Sequence, residues 1–132
     1  MTLNGHIDGA TRETKKHERV SSVGIVVDLP SCQIQISKRL VVSCDDNNLA
    51  EYAALLLLLK YALQVDGKEA KVYCDSEVVV KQIRGEYKCQ SRTLQKINQA
   101  CLFLRGFFTS FEIVHIRDTE NIQAHNLAQR AI

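Results

Sequence analysis

Apolar and polar positions change rhythm along this chain. Residues 3–8 read as a first strand, and residues 23–29 are a short apolar run of strand length. Residues 32–42 alternate, with Cys32, Ile34, Ile36 and Lys38 on one parity and Gln33, Gln35 and Ser37 on the other. That alternation predicts a half-buried strand. Asp8-Gly9 ends the first strand in a turn or a close backbone approach. The polar segment 11–22 predicts a loop, and Pro30-Ser31 a turn. Three strands with short connections predict an antiparallel meander.

The pattern then becomes helical. From Ala53 to Leu63 only Lys60 is charged. This Ala- and Leu-rich run predicts a helix over 48–64, apolar nearly all round and therefore central to the core. Lys60 and Gln64 interrupt it too early for a bilayer span. Asn48 and Glu51 have the spacing of a reciprocal N-terminal capping pair. Beyond Gly67, residues 71–75 predict a strand. Residues 76–84 predict a helix capped by Ser76, ended by Gly85, with Val79, Val80 and Ile83 inward. An amphipathic helix follows over 91–108, with Leu94, Ile97, Cys101 and Leu102 or Leu104 as its stripe. A fifth strand at 111–116, a polar loop at 117–121 and a last helix at 122–132 complete the chain. The order βββαβααβα predicts one α/β domain over 1–132, a five-stranded mixed sheet flanked by helices.

Composition adds little to this and charge distribution adds more. The 132 residues are 45% hydrophobic and 24% charged, which suits a single domain with a real core. A net charge of +2 does not by itself point to a polyanion. Between 81 and 105, however, Lys81, Arg84, Lys88, Arg92, Lys96 and Arg105 face Glu86 alone. Such a cluster suits phosphates, or else is a solvated helix face. Cys32, Cys44, Cys74, Cys89 and Cys101 form no close pair, so neither a zinc motif nor a disulfide framework is indicated. Reduced, mostly buried thiols in an intracellular, cytoplasmic protein are expected. The N-terminus lacks the apolar core of a signal peptide. No membrane contact is expected, and a monomer is the default.

Three acids fall where elements begin or end: Asp8, Glu51 and Asp75. They converge on one edge of the sheet if the first and fourth strands are neighbours. Clustered carboxylates are hard oxygen ligands for Mg²⁺ or Mn²⁺, and such sites hydrolyse phosphodiesters. Each acid also has a structural alternative. Asp8 could form a turn, Glu51 could cap its helix and Asp75 could cap the next.

DGA at 8–10, NNLAEY at 47–52, CDSEVVVKQIRGEYK at 74–88 and NIQAHNLAQRA at 121–131 resemble ribonuclease H. The likeness is closest to the short subgroup of archaeal, bacterial and plant reverse-transcriptase-like domains. The resemblance implies the ribonuclease H-like fold. It also implies a metal-dependent endonuclease cutting the RNA strand of RNA–DNA hybrids by a two-metal-ion mechanism, leaving 5′-phosphate and 3′-hydroxyl ends. On that pattern Asp8, Glu51 and Asp75 match three members of an acidic quartet holding two divalent ions, Mg²⁺ or Mn²⁺. Asp8 and Asp75 would bridge them and Glu51 would ligate one. Asn47 and Asn48 match amides that contact the RNA near its 2′-hydroxyls, with helix capping as the alternative. Gly9 and Ala10 would let backbone approach the hybrid, Ser76 joins the same substrate-binding group, and Lys88 with its basic neighbours would hold DNA-strand phosphates.

Two departures stand out. His125 occupies the place of the quartet's fourth aspartate. A neutral imidazole is a poor partner for Mg²⁺, so a weakened second metal position and a preference for Mn²⁺ are expected. The alternative is an ordinary surface histidine. Asp118 and Glu120 are weaker candidates for a substitute carboxylate. In the first hairpin a basic segment containing Arg12, Lys15 and Lys16 replaces the family's Gly- and Pro-containing turn; it is expected in solvent, and His17 is not expected to bind metal. Two other readings compete: a catalytically weakened module binding RNA–DNA hybrid or double-stranded RNA, and an integrase-like or Holliday-junction enzyme. NNLAEY and GEYK argue against the latter.

Overall fold

The computed structural model describes residues 2–40 and 46–132. Five strands form one mixed sheet in the order β3-β2-β1-β4-β5. Strands β1 (Thr2–Glu13), β2 (Arg19–Asp28) and β3 (Gln33–Arg39) form the expected antiparallel meander. Strands β4 (Glu69–Cys74) and β5 (Ser110–His115) add in parallel beside β1. The helices are α1 (Asn47–Gln64), α2 (Glu77–Arg84), α3 (Arg92–Arg105) and α4 (Ile122–Arg130), with a 3-10 turn at Asp118–Glu120. Among the described residues no helix is long and apolar enough to cross a membrane.

The pleat of β1 and β2 divides the core in two. Leu3, Ile7, Val23, Ile25 and Val27 face α1, whose Tyr52, Leu55, Leu58, Leu59 and Ala62 are buried with them. Val26 lies on the other face with Ala124 and Leu127 of α4. A strand covered on both faces reads as an unbroken apolar run, which is why β2 shows no alternation. In β3, Ile34 and Ile36 are half-buried and their neighbours exposed, as alternation predicts. What lay beyond Leu40 in the predicted strand, at residues 41 and 42, falls outside the described residues, as does Cys44.

Four expectations need correction. Segment 11–22 is not a loop: β1 and β2 run on through it, pairing Arg12 with Val20 and Glu13 with Arg19 around a short turn. Asp8-Gly9 is therefore no turn and lies inside β1. Gly9 is needed because a Cβ there would collide with the backbone of Ala50 and Glu51 at the start of α1. The N-cap of α1 is Asp46, whose carboxylate accepts from the Asn48 backbone N–H at 2.8 Å, so Asn48 and Glu51 do not cap. The thiols are less buried than expected: Cys74 and Cys101 are buried, Cys89 is half-buried and Cys32 is exposed.

Candidate active site

The parallel pairing of β1 and β4 builds the site. Ile7 of β1 is in register with Cys74, the last residue of β4. The next residue on each strand is an aspartate, so Asp8 and Asp75 emerge side by side where β4 ends and β1 continues. Glu51 reaches the same point from the start of the second turn of α1, drawn in by the close approach at Gly9. Ligand atoms of Asp8, Glu51 and Asp75 all lie within 4.8 Å of one another. Asp75 caps no helix: Ser76 caps α2, its Oγ accepting from the Val79 N–H, and Gly85 ends α2 in the left-handed conformation at φ 82°.

Helix α4 brings the remaining partners from the opposite face. Gly24 of β2 admits its backbone; a Cβ there would run into the Ala124 carbonyl and the Ala128 amide. Ser22 and Ser37 donate to the carbonyls of Ala128 and Leu127, acceptors that the end of a helix leaves unpaired. So docked, α4 sets His125 Nδ1 3.0 Å from Asp8 Oδ2. Asn121 Nδ2 donates to the Ile7 carbonyl at 2.7 Å and to Asp75 Oδ2 at 3.2 Å.

The electrostatics favour a cation. Burial holds the Glu51 carboxyl well above its usual range, reinforced by its hydrogen bond to Asp8 and by repulsion from Asp8 and Asp75; the Gly9 N–H opposes this. Burial and Asp8 also raise Asp75, against the Asn121 hydrogen bond. Among the described residues no lysine or arginine pairs with any of the three acids. Three hard oxygen donors that repel one another and face no lysine or arginine among the described residues fit a divalent ion such as Mg²⁺ or Mn²⁺. Cys74 Sγ lies 3.8 Å from Glu51 Oε2, and burial first, then Glu51, pushes its thiol well above the ordinary value, so it is a poor nucleophile.

These carboxylates floor an open cleft of about 770 Å³. Gly9, Ala10, Asn47 and His125 line it, with His115, Arg117 and Asp118. Asn48 and Ser76 bond to each other, Ser76 Oγ donating to Asn48 Oδ1 at 3.0 Å, which leaves the Asn48 amide as a donor. Lys88 is exposed outside the cleft lining. Of its basic neighbours, Lys81 pairs with Glu77, Arg84 with Glu86, and Arg105 donates to the Ile83 carbonyl. Arg12 donates to the Ile132 carbonyl, and the exposed His17 bonds to Glu13. Glu120 faces Arg117 and lies away from this cleft, whereas Asp118 lines it. A second cavity of about 540 Å³, beside β5 and between Ile83 and Phe111, contains none of the carboxylates.

Sequence reasoning missed two site residues. Asn121 carried a signal as the first residue of its motif. His115, whose Nε2 lies 3.3 Å from the Asp75 carbonyl, carried none.

A family model described as reverse transcriptase-like matches residues 6–131. The bifunctional protein of Mycobacterium tuberculosis is 31% identical over 86 residues, 65% of this chain and 24% of that protein. The chain thus spans about a quarter of the length of the curated relatives it matches. The N-terminal RNase H domain from M. tuberculosis, solved as a fusion with maltose-binding protein, superposes with a TM-score of 0.87 at 25% identity, covering 99% of this chain and 98% of that one. RNase H1 of the halophilic archaeon Halobacterium salinarum gives 0.83 at 23% identity, covering 99% and 97%. An RNase H1 from compost, solved in complex with RNA/DNA hybrid, gives 0.81 at 25% identity, covering 98% and 96%.

Proposed function

The chain belongs to the reverse transcriptase-like family and has the ribonuclease H fold, and from that premise we propose that it is an endonuclease hydrolysing the RNA strand of RNA–DNA hybrids with divalent metal ions. The observation that carries this reading is the convergence of Asp8, Glu51 and Asp75 on the floor of an open cleft. The three carboxylates Asp8, Glu51 and Asp75 would hold the ions. The chemistry such ions supply when bound is activation of the attacking water, charge neutralisation at the scissile phosphate and stabilisation of the leaving 3′-oxygen. Water adds to phosphorus and the P–O3′ bond breaks, giving 5′-phosphate and 3′-hydroxyl ends.

The chain's own groups do the rest. The cleft is open, and Gly9 and Ala10 in its lining would let backbone come close to a hybrid. Asn47, in the cleft lining, and the Asn48 amide beside it would meet a 2′-hydroxyl, the group that separates RNA from DNA. Exposed Lys88, Arg92 and Lys96, which pair with no acid among the described residues, suit DNA-strand phosphates. By the resemblance to the family's pattern His125 would take the place of an acid, and it has Asp8 as partner. A histidine there would weaken divalent-ion binding and favour Mn²⁺, whose affinity for imidazole exceeds that of Mg²⁺.

The test is cleavage of a labelled hybrid in Mg²⁺ and in Mn²⁺. Wild type is expected to cut faster in Mn²⁺, Asp75→Asn to lose about 10³-fold in kcat, and His125→Asp to gain in Mg²⁺. Hybrid binding without cleavage in either metal would support the second reading, a catalytically weakened binding module, which a histidine in place of a fourth acid favours.

A further inference from the structure

We propose that Asn121 is a positioning residue for this hydrolysis, a strut that holds Asp75 to the point on β1 from which Asp8 projects; the inference rests on the nuclease reading above. Asn121 occupies the N-cap position of α4 but makes no side-chain capping bond. Its side chain turns inward and the residue is 1% exposed. The amide nitrogen has two N–H donors. One meets the Ile7 carbonyl at 2.7 Å and the other Asp75 Oδ2 at 3.2 Å. Ile7 precedes Asp8, and Ile7 is paired in register with Cys74, which precedes Asp75. A single amide therefore bridges the two strands where their carboxylates diverge, and fixing one carboxylate oxygen fixes the rotation of the Asp75 group.

The unpaired end of the side chain supports the same assignment. Asn121 Oδ1 is buried with no hydrogen-bond partner. Buried acceptors are rarely left so, because the lost hydration is not replaced. Turning the amide over would not cure this without setting its oxygen against the Ile7 carbonyl and the Asp75 carboxylate. An asparagine kept for local stability would cap α4; this one forgoes the cap and leaves its own oxygen unpaired while holding Asp75. Groups that orient metal-ligating carboxylates act through the ligand, and their removal shows in ion affinity.

The experiment measures Mn²⁺ binding without nucleic acid, by electron paramagnetic resonance of the free ion, and hybrid cleavage in Mn²⁺, for wild type, Asn121→Ala and Asn121→Ser. Gln123→Ala, two residues on and exposed, is the control. Asn121→Ala is expected to weaken Mn²⁺ binding by about tenfold and to lower kcat by about 10–100-fold, with KM for the hybrid within about twofold and circular dichroism unchanged. A variant that melts earlier but binds Mn²⁺ and turns over as wild type does would overturn the assignment, leaving Asn121 a purely structural residue. If Asn121→Ala fails to fold, Asn121→Ser is judged by the same criteria, since a hydroxyl donates to only one of the two acceptors. A wild type that binds Mn²⁺ but cuts no hybrid sinks the nuclease reading, while the ion-binding comparison still decides the role of Asn121.

Discussion

Helices α1 and α4 deliver polar side chains to the same cleft from opposite faces of the sheet, and they are held by different physics. Helix α1 carries Glu51 and is fixed by bulk: Tyr52, Leu55, Leu58 and Leu59 are buried in the main core that it shares with the sheet and α3. Helix α4 carries Asn121 and His125 and is fixed by fit. Its apolar contact with the sheet is the small cluster of Val26, Ala124 and Leu127. Close approach at Gly24 and the two serine hydroxyls on its last carbonyls supply the remainder. Apolar burial is additive and tolerant of detail, whereas close approach fails abruptly when one atom is added. The α1 side should therefore govern global stability, and the α4 side the geometry of the site.

The largest effect expected on this comparison is that of Leu58→Ala. Leu58 is fully buried and its Cδ atoms cover the bare backbone of Gly5. Glycine has no side chain with which to fill the vacated space, so the cavity persists. A loss of about 2–5 kcal/mol is expected, in the upper part of that range. Urea unfolding checks it. A loss under about 1 kcal/mol would mean that α1 is not the main anchor.

Gly24→Ala probes the other side and is expected to be smaller in stability but larger in function. The added methyl meets the α4 backbone, which cannot rotate away as a side chain can. Overpacking of this kind costs about 1–3 kcal/mol. Cleavage should fall by more than the stability loss implies, because shifting α4 moves Asn121 and His125 together. Unfolding and kcat measured side by side check this. Full activity with lowered stability would show that the α4 side chains do not set the site.

The same contrast explains how far the sequence could be read. Bulk leaves a pattern. The α1 run, the alternation of β3, the Ser76 cap and the Gly85 stop were legible, as were the three acids, because strand ends and helix starts can be located from hydrophobic period and cap residues. Fit leaves almost none. The extension of β1 and β2 to Glu13 and Arg19 rests on cross-strand pairing of Thr11 with Ser21 and Arg12 with Val20, a mostly polar set with no alternation to reveal it. Ser22 and Ser37 look like ordinary strand serines until α4 lies on them. Asp46 precedes two asparagines of similar capping propensity, so the N-cap was misplaced by two residues. The role of Asn121 depends on which carbonyl and which carboxylate flank it, a property of the fold alone.

The smallest effect sharpens the comparison from within the site, because Glu51 is the one carboxylate that α1 buries. Its folded-state pKa lies above the unfolded value through burial first, then its bond to Asp8 and repulsion from Asp8 and Asp75. The folded protein therefore binds this proton more tightly than the unfolded chain does. The stability that proton brings is fully present below the unfolded pKa, about 4.3, and is lost as pH rises through the raised folded value. Glu51→Gln replaces the ionisable group with a neutral one of the same shape. Without metal, the variant should melt a few degrees above wild type at pH 7.5 and together with it at pH 4 or below. Added Mn²⁺ should raise the wild-type Tm more than that of Glu51→Gln, narrowing the gap at pH 7.5, since the ion offsets the repulsion that the amide lacks. A gap independent of pH would mean that the variant alters packing, and that the charge buried by α1 is not a standing cost offset by the ion.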